Sequence, residues 1–261
     1  LCELAPFFKG KPRLAKLYCK LLGMDKVNEL HRNNCQDPGA PCAKGALKDL
    51  GITMSVDNED ELDSLPEGAF ITISNHPFGA LDGIMLINLL ASRRKDYKVI
   101  VHLILTYVTA LRSLFIPVDP KGSNDPIKKA ISMRGIREAM KHVRDGHPVG
   151  IFPAGTVAKV NSKLEVADCK WQPAIIRMIQ QLKVPVVPIY FHGKNSLISY
   201  LLGNISIALR ALLLPSEIFR KRGAIMRVTV GKPISVEEQA QYETIEEFTA
   251  FLKERTFAMK Y

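Results

Sequence analysis

From Phe70 onward, short apolar runs alternate with longer stretches that have helical periodicity. Five of the apolar runs predict strands: Ala69–Ser74, Lys98–Leu103, Val149–Phe152, Pro185–Phe191 and Ala224–Gly231. Strands that alternate with helices favour a mostly parallel sheet with helices packed on its faces. The predicted fold class is therefore α/β, with one central sheet flanked by helices.

The chain contains no internal repeat, low-complexity tract or long Gly/Ser linker. A chain of 261 residues with 47% hydrophobic residues can bury one substantial core. We therefore expect one compact unit in which an N-terminal helical segment, 1–65, joins a main domain, 66–261. Within the first segment, Pro12–Asn33 and Ala43–Leu50 predict helices, and Asp37–Pro41 predicts a loop.

Two later helices have clear start signals. One begins at Asp125-Pro126 and ends near Gly146, and the other follows a predicted capping box formed by Thr244 and Glu247. The outer face of the first is basic, which indicates either a solvated face or a contact with an anionic partner. Its cations are Lys128, Lys129, Arg134, Arg137, Lys141 and Arg144.

The net charge of +10 implies an anionic partner, such as nucleic acid, anionic lipid headgroups or an acidic substrate. Aromatic residues make up only 7% and do not interleave with basic ones, which argues against nucleic acid. The five cysteines have no zinc-ligand spacing, so we expect free thiols in a reducing compartment and no metal site.

The stretch Leu197–Leu214 is almost entirely apolar and long enough to span a bilayer, but it carries Asn204 and Arg210. We expect an interfacial segment that lies on a membrane, where Arg220–Arg222 can contact anionic headgroups. A buried core helix is the alternative, since periodicity does not separate the two.

A histidine is presented at a strand-to-helix junction. His76 follows the apolar run that ends at Ser74, and Asp82 lies where the next apolar helix, Ile84–Leu90, begins. A carboxylate that accepts from one ring nitrogen fixes the tautomer and leaves the other nitrogen to take a hydroxyl proton. The pair predicts general-base chemistry on an alcohol, although an Asp at this point also suits a helix cap.

A second junction lies in Gly150–Thr156, where another apolar run ends in a Pro/Gly turn. The free backbone N–H groups of such a turn, with the Thr156 hydroxyl, suit an anionic oxygen, although Phe-Pro-x-Gly is also an ordinary turn. We expect one groove at the loops that follow the strands ending near Ser74 and Phe152.

Four blocks in chain order resemble those of the phospholipid/glycerol acyltransferases, the family that contains bacterial 1-acylglycerol-3-phosphate acyltransferase. The blocks are Asn75–Asp82, Leu114–Asp119, Phe152–Thr156 and Val184–Ile189, and the resemblance covers roughly Pro66–Pro233. It implies that 66–261 is a catalytic domain that moves a fatty acyl group onto a hydroxyl of a lyso-lipid. The implied donor is a thioester of acyl-carrier protein or coenzyme A, with no further cofactor.

The resemblance also assigns residues and a location. His76 and Asp82 would be catalytic, and backbone N–H groups near Gly155 would stabilise the oxyanion. A peripheral position on an anionic membrane surface, at its cytoplasmic face, is implied as well. The implied substrate contacts are Asn75, Phe78, Gly79, Lys121, Phe152, Pro153, Gly155 and Thr156.

This chain departs from the family pattern around the acceptor. Pro120 follows the second block where glycerophosphate-using members have Arg, and Ala154 replaces the usual Glu of the third block. Arg binds phosphate through two parallel hydrogen bonds, which the flexible Lys121 does not reproduce. A phosphate-bearing acceptor is therefore not favoured.

Other features are more similar to a bacterial branch of hemolysin-like or lyso-ornithine-lipid and lyso-glycine-lipid O-acyltransferases. Five residues instead of four separate His76 from Asp82, and Trp171 and Gly193–Ser196 follow later. We expect a lyso-aminolipid acceptor, with synthesis of phosphatidate from 1-acylglycerol-3-phosphate as the alternative.

Other reaction classes lack their motifs. No Gly-x-Ser-x-Gly elbow is present, which disfavours a covalent acyl-serine route. The chain also has no P-loop and no Gly-x-Gly-x-x-Gly fingerprint. The remaining alternative from a different class is a lipid-binding protein without catalysis.

Overall fold

The computed structural model describes residues 10, 13, 20, 23–119, 125–160, 166–205 and 207–261. Within these ranges it describes the side chains of all residues except 203–212. The described α-helices are α1 (Met24–Asn34), α2 (Ala40–Asp49), α3 (Ala80–Leu90), α4 (Pro126–Arg144), α5 (Pro173–Leu182), α6 (Leu197–Ile205), α7 (Ile207–Arg220), α8 (Val236–Gln239) and α9 (Ile245–Phe257). The described strands are β1 (Thr53–Asp57), β2 (Ile71–Ser74), β3 (Lys98–His102), β4 (Phe115–Val118), β5 (Val149–Ile151), β6 (Lys159–Val160), β7 (Val166–Ala167), β8 (Val186–Phe191) and β9 (Ile225–Val230).

Seven of these strands form one sheet in the order β1-β9-β8-β2-β5-β3-β4. The β8–β9 pair is antiparallel and the other neighbouring pairs are parallel. In the centre, Ile73 lies opposite Ile151 of β5 and Pro188 of β8. Consequently β2, β3, β4, β5 and β8 all end at the same edge of the sheet. Strands β6 and β7 form a separate antiparallel hairpin.

Helices cover both faces of the sheet, and each face has its own apolar core. One core includes buried residues of α2, α3 and α7, and the other includes buried residues of α4, α5 and α9. Alternate side chains of a strand enter different cores: Val99 and Val101 point into the first and Ile100 into the second. The predicted α/β class, a mostly parallel sheet flanked by helices, is confirmed.

The five predicted strands are confirmed to within two residues at each end. The sequence pattern does not predict β1 and β4, the edge strands of the main sheet, or the two-residue strands β6 and β7. β1 has a half-exposed, polar sequence and lies in the segment expected to be helical, and β4 contains Pro117, which an edge strand tolerates. β1 lacks the continuous apolar run of a buried parallel strand, and the apolar run of β4 is only four residues long and contains proline.

The predicted helices form with shifted ends. α2 begins at Ala40 and includes Pro41, which we expected in a loop, because proline fits the first turn of a helix. Of Pro12–Asn33, the part before Gly23 lies largely outside the described residues. At α4, the Asp125 side chain accepts from the Ile127 N–H, and the capping box of α9 is present.

The apolar stretch Leu197–Leu214 falls on α6 and α7. In α6, Ser199 and Tyr200 are buried, whereas Leu197 and Ile198 are 64% and 57% exposed. A fully buried core helix is thereby ruled out for α6. A search of the described ranges finds no helix with the length and apolar character needed to cross a membrane.

Candidate active site

The turn between β2 and α3 brings His76 and Asp82 together. Nδ1 of His76 lies 2.8 Å from Oδ2 of Asp82, and the same oxygen accepts from the Phe78 and Gly79 N–H groups at 2.9 Å each. Gly79 has φ +87°, a conformation that glycine adopts easily, and it precedes the first residue of α3. Asp82 therefore caps the helix and orients the histidine with one oxygen.

The two side chains of the pair differ in their exposure to solvent. Asp82 is fully buried, and burial raises the pKa of its carboxyl, against which the hydrogen bond from His76 is the largest opposing effect. The His76 side chain is 17% exposed. A carboxylate accepts from Nδ1–H, so the neutral ring has Nε2 unprotonated. That nitrogen is the one able to take a proton.

The third block lies against the histidine. The rings of His76 and Phe152 stack with centroids 4.3 Å apart, and the Ala158 N–H donates to the His76 carbonyl at 2.9 Å. Both turns follow parallel strands that are neighbours in the sheet. The two junctions therefore lie together at the carboxyl ends of the strands, where open α/β sheets bind ligands.

Backbone N–H groups near Gly155 are expected to stabilise the oxyanion, but the N–H of Gly155 itself is already bonded. The Gly155 N–H donates to the Phe152 carbonyl at 2.8 Å, so it is used to close the turn and is not free for an oxyanion. Gly155 has φ +62° and, like Thr156, is partly exposed, whereas Pro153 is buried. Substrate contact by Phe152, Gly155 or Thr156 stays a prediction.

Asn75, expected to bind substrate, joins two strands instead. Its Nδ2 donates to the Phe191 carbonyl at 2.9 Å, and its Oδ1 accepts from the Phe191 N–H at 2.7 Å. The side chain is buried, with 5% of its surface exposed. The amide thus fixes the end of β2, one residue before His76, to the end of β8.

Phe78 and Gly79 are also buried parts of the turn. Phe78 packs so closely on Gly193 that a Cβ there would lie 2.8 Å from the ring. A Cβ on Gly79 would lie 3.2 Å from Leu214 of α7. Packing on the loop after β8 and on α7 is the role that the structure gives these two residues.

Asp168 is a polar residue at the site that sequence reasoning missed. Its Oδ1 accepts from the His76 N–H at 3.1 Å, and its Oδ2 accepts from the Trp171 indole N–H at 3.2 Å. Burial raises the pKa of its carboxyl, while the two donors oppose the rise. Asp168 lies 92 positions from His76, so no sequence motif contains both residues. Its neighbour Trp171, which the family resemblance includes, is the nearest signal in the sequence.

The second block ends on β4, three strands from β2 and so about 14 Å across the sheet. Asp119 is 8% exposed, and its carboxylate lies 4.0 Å from Lys128 of α4. Lys121, the expected substrate contact after this block, lies outside the described residues. In the ranges described, His, Cys, Asp and Glu form no group of three able to hold a metal ion.

Comparison with known proteins gives a family match over nearly the whole chain. The family model described as "Acyltransferase" matches residues 11–261. Two similar proteins are each named lyso-glycine lipid O-acyltransferase. One, from Phocaeicola vulgatus, is 25% identical and covers 97% of this chain and 90% of its own length. The other, from Bacteroides thetaiotaomicron, is 27% identical, with 97% and 92% covered.

A solved structure shares the fold. It is the crystal structure of the 1-acyl-sn-glycerophosphate (LPA) acyltransferase PlsC from Thermotoga maritima, with a TM-score of 0.51 and 16% sequence identity. The alignment covers 84% of this chain and 79% of that one. At this identity the likeness concerns the arrangement of helices and strands.

The Asn75 contacts generate a stability prediction. Asn75→Ala leaves the buried Phe191 N–H and carbonyl unpaired, so we expect the free energy of unfolding to fall by about 1–3 kcal/mol. Urea denaturation measures it. Asn88→Ala is the control, because the Asn88 amide donates a weak hydrogen bond to the Met54 sulfur at 3.4 Å, and a smaller loss is expected. An unchanged free energy of unfolding in Asn75→Ala would contradict this structural role and would again make Asn75 a candidate for substrate binding.

Proposed function

Because the chain belongs to the acyltransferase family, we propose that it transfers a fatty acyl group from a thioester to a hydroxyl of a lyso-lipid, with His76 as general base. One observation carries the proposal. The buried Asp82 carboxylate holds Nδ1 of a partly exposed histidine, at the edge of the sheet where the strands end. That arrangement suits proton removal from an alcohol.

In the proposed reaction, Nε2 of His76 takes the acceptor hydroxyl proton as the oxygen attacks the thioester carbonyl. The carbon–sulfur bond then breaks, and the imidazolium returns its proton to the leaving thiolate. Asp82 stabilises the imidazolium through Nδ1–H in the meantime. The developing oxyanion needs donors other than the Gly155 N–H, which closes its own turn.

For the acceptor, we propose a lyso-aminolipid. The names of the two relatives support a lyso-glycine lipid, and a lyso-ornithine lipid is the second candidate. Pro120 stands where glycerophosphate-using members have Arg, so the two parallel hydrogen bonds that Arg gives a phosphate are lost there, and Ala154 replaces the family's usual Glu. The donor is an acyl thioester of acyl-carrier protein or of coenzyme A.

The proposed location is the cytoplasmic face of the membrane, bound peripherally. Leu197, Ile198 and Leu201 of α6 are 64%, 57% and 49% exposed and form an apolar face on the surface. Exposed Arg220 and Arg222 follow at the end of α7 and suit anionic headgroups. Lys221, expected to join them, instead donates to the Lys194 carbonyl at 2.6 Å.

Loss of the base tests the proposed chemistry. His76→Ala should lower kcat by about two to four orders of magnitude in a folded protein, and Asp82→Asn should lose most activity by favouring the wrong tautomer. The assay follows thiol release from the acyl thioester in the presence of lyso-lipid.

The chain offers a matched control for that experiment. His147 and Asp96 form a pair with the same 2.8 Å Nδ1–Oδ2 distance, but they precede β5 and β3 and so lie at the opposite edge of the sheet. His147→Ala and Asp96→Asn should leave kcat unchanged. Near-normal turnover by folded His76→Ala would refute the assignment of the base.

Acceptor choice is tested by competition. Purified protein is given lyso-glycine lipid, lyso-ornithine lipid and lysophosphatidate at equal concentrations with one thioester donor, and products are quantified by mass spectrometry. We expect the aminolipids to be acylated preferentially, because Pro120 replaces the Arg that binds the acceptor's phosphate through two hydrogen bonds in glycerophosphate-using members of the family. A preference for lysophosphatidate would overturn the acceptor while leaving acyl transfer intact.

Membrane docking is tested by co-sedimentation with anionic phosphatidylglycerol vesicles. Changing Leu197, Ile198 and Leu201 together to Ser should abolish most binding, since it removes the apolar contact, and salt should weaken the basic contribution. In the control variant, Ile127→Ser and Met133→Ser remove exposed apolar side chains from α4, which packs on β4. Loss of binding in the α4 variant, with α6 variants unaffected, would contradict the docking face.

A further inference from the structure

The peptide groups on both sides of the His76 Cα are held by one hairpin. The Ala158 N–H, just before β6, donates to the His76 carbonyl at 2.9 Å. Asp168, just after β7, accepts from the His76 N–H at 3.1 Å through its side chain. The residues that flank the hairpin β6–β7, Ala158 and Asp168, are thus bonded to the carbonyl and to the N–H of His76.

Asp168 is itself held in place. Its second oxygen accepts from the indole N–H of Trp171, a side chain that is 1% exposed. The next residue, Gln172, donates its N–H to the Pro153 carbonyl at 3.0 Å, which ties this segment to the turn of the third block. The Asp168 carboxylate is therefore held by a buried side chain, in a segment that is bonded to the turn of the third block.

We propose that Asp168 is a positioning residue for the transfer reaction, which fixes the His76 main chain so that the imidazole meets both Asp82 and the substrate. This inference rests on the proposed function of His76. In the structure Nδ1 of the ring faces Asp82 while the face of the ring stacks on Phe152, and a shift of the main chain from which the ring extends would disturb both contacts. A catalytic group displaced by about 1 Å can lose about 100-fold in rate.

The kinetic test uses graded changes at Asp168. Asp168→Ala should lower kcat by about 10–100-fold with a much smaller change in the KM of either substrate, as expected when only the chemical step is affected. Asp168→Asn should lose less, because its amide oxygen still accepts from the His76 N–H. If Asp168→Ala is too unstable to assay, the kinetic comparison is made with Asp168→Asn.

Trp171→Phe tests whether the indole acts through Asp168. It removes one N–H donor and should lower kcat in the native background but have no further effect in Asp168→Ala, since coupled residues are not additive. A plain packing effect of the smaller ring would persist in both backgrounds. Equal effects of Trp171→Phe in the two backgrounds would overturn the proposed chain of contacts.

A spectroscopic readout separates this inference from the function on which it rests. A histidine Nδ1–H bonded to a carboxylate gives a downfield proton resonance, assigned to His76 by its loss in His76→Ala. We expect the resonance to be lost in Asp168→Ala and retained in Asp96→Ala, which removes a carboxylate from the opposite edge of the sheet. Retention of the resonance and of native kcat in Asp168→Ala would overturn the role of Asp168. A native protein that shows the resonance but transfers no acyl group would instead count against the proposed function.

Discussion

The structure of the site depends on one buried oxygen. Oδ2 of Asp82 accepts from the His76 ring and from the Phe78 and Gly79 N–H groups, so the start of α3, the turn and the proposed base are fixed by the same atom. Each donor satisfies part of a carboxylate that has no access to water. Helix capping and orientation of the His76 ring are therefore one arrangement and not alternatives.

The sheet determines what surrounds this turn. Because β2, β5 and β8 end at the same edge, the residues that follow them meet although they are far apart in sequence. Asn75 pairs with the Phe191 backbone, and Phe152 stacks on His76. The buried Asn75 therefore holds the turn that presents the partly exposed His76. The proposed docking helix α6 follows β8 directly, and α7 packs on Gly79 through Leu214.

Much of this arrangement is predictable from sequence, and the rest depends on contacts between distant segments. Buried strands have continuous apolar runs, and the His76–Asp82 turn is local, so both could be predicted. The edge strand β1 lacks that pattern, the short run of β4 contains a proline, and the bond from His76 to Asp168 spans 92 positions without a shared motif. The family resemblance implies a substrate contact for Asn75, but its amide is bonded to the backbone of Phe191.

Acceptor-dependent breakdown of the thioester tests the central claim most directly. Purified protein is incubated with an acyl thioester, and free thiol is measured with and without a lyso-aminolipid, while acylated lipid is quantified in parallel. The account predicts little thiol release without the acceptor, and with it a release equal to the acylated lipid formed. Binding of the lyso-lipid with no thiol release above background, in a correctly folded protein, would contradict it and indicate a lipid-binding protein without catalysis.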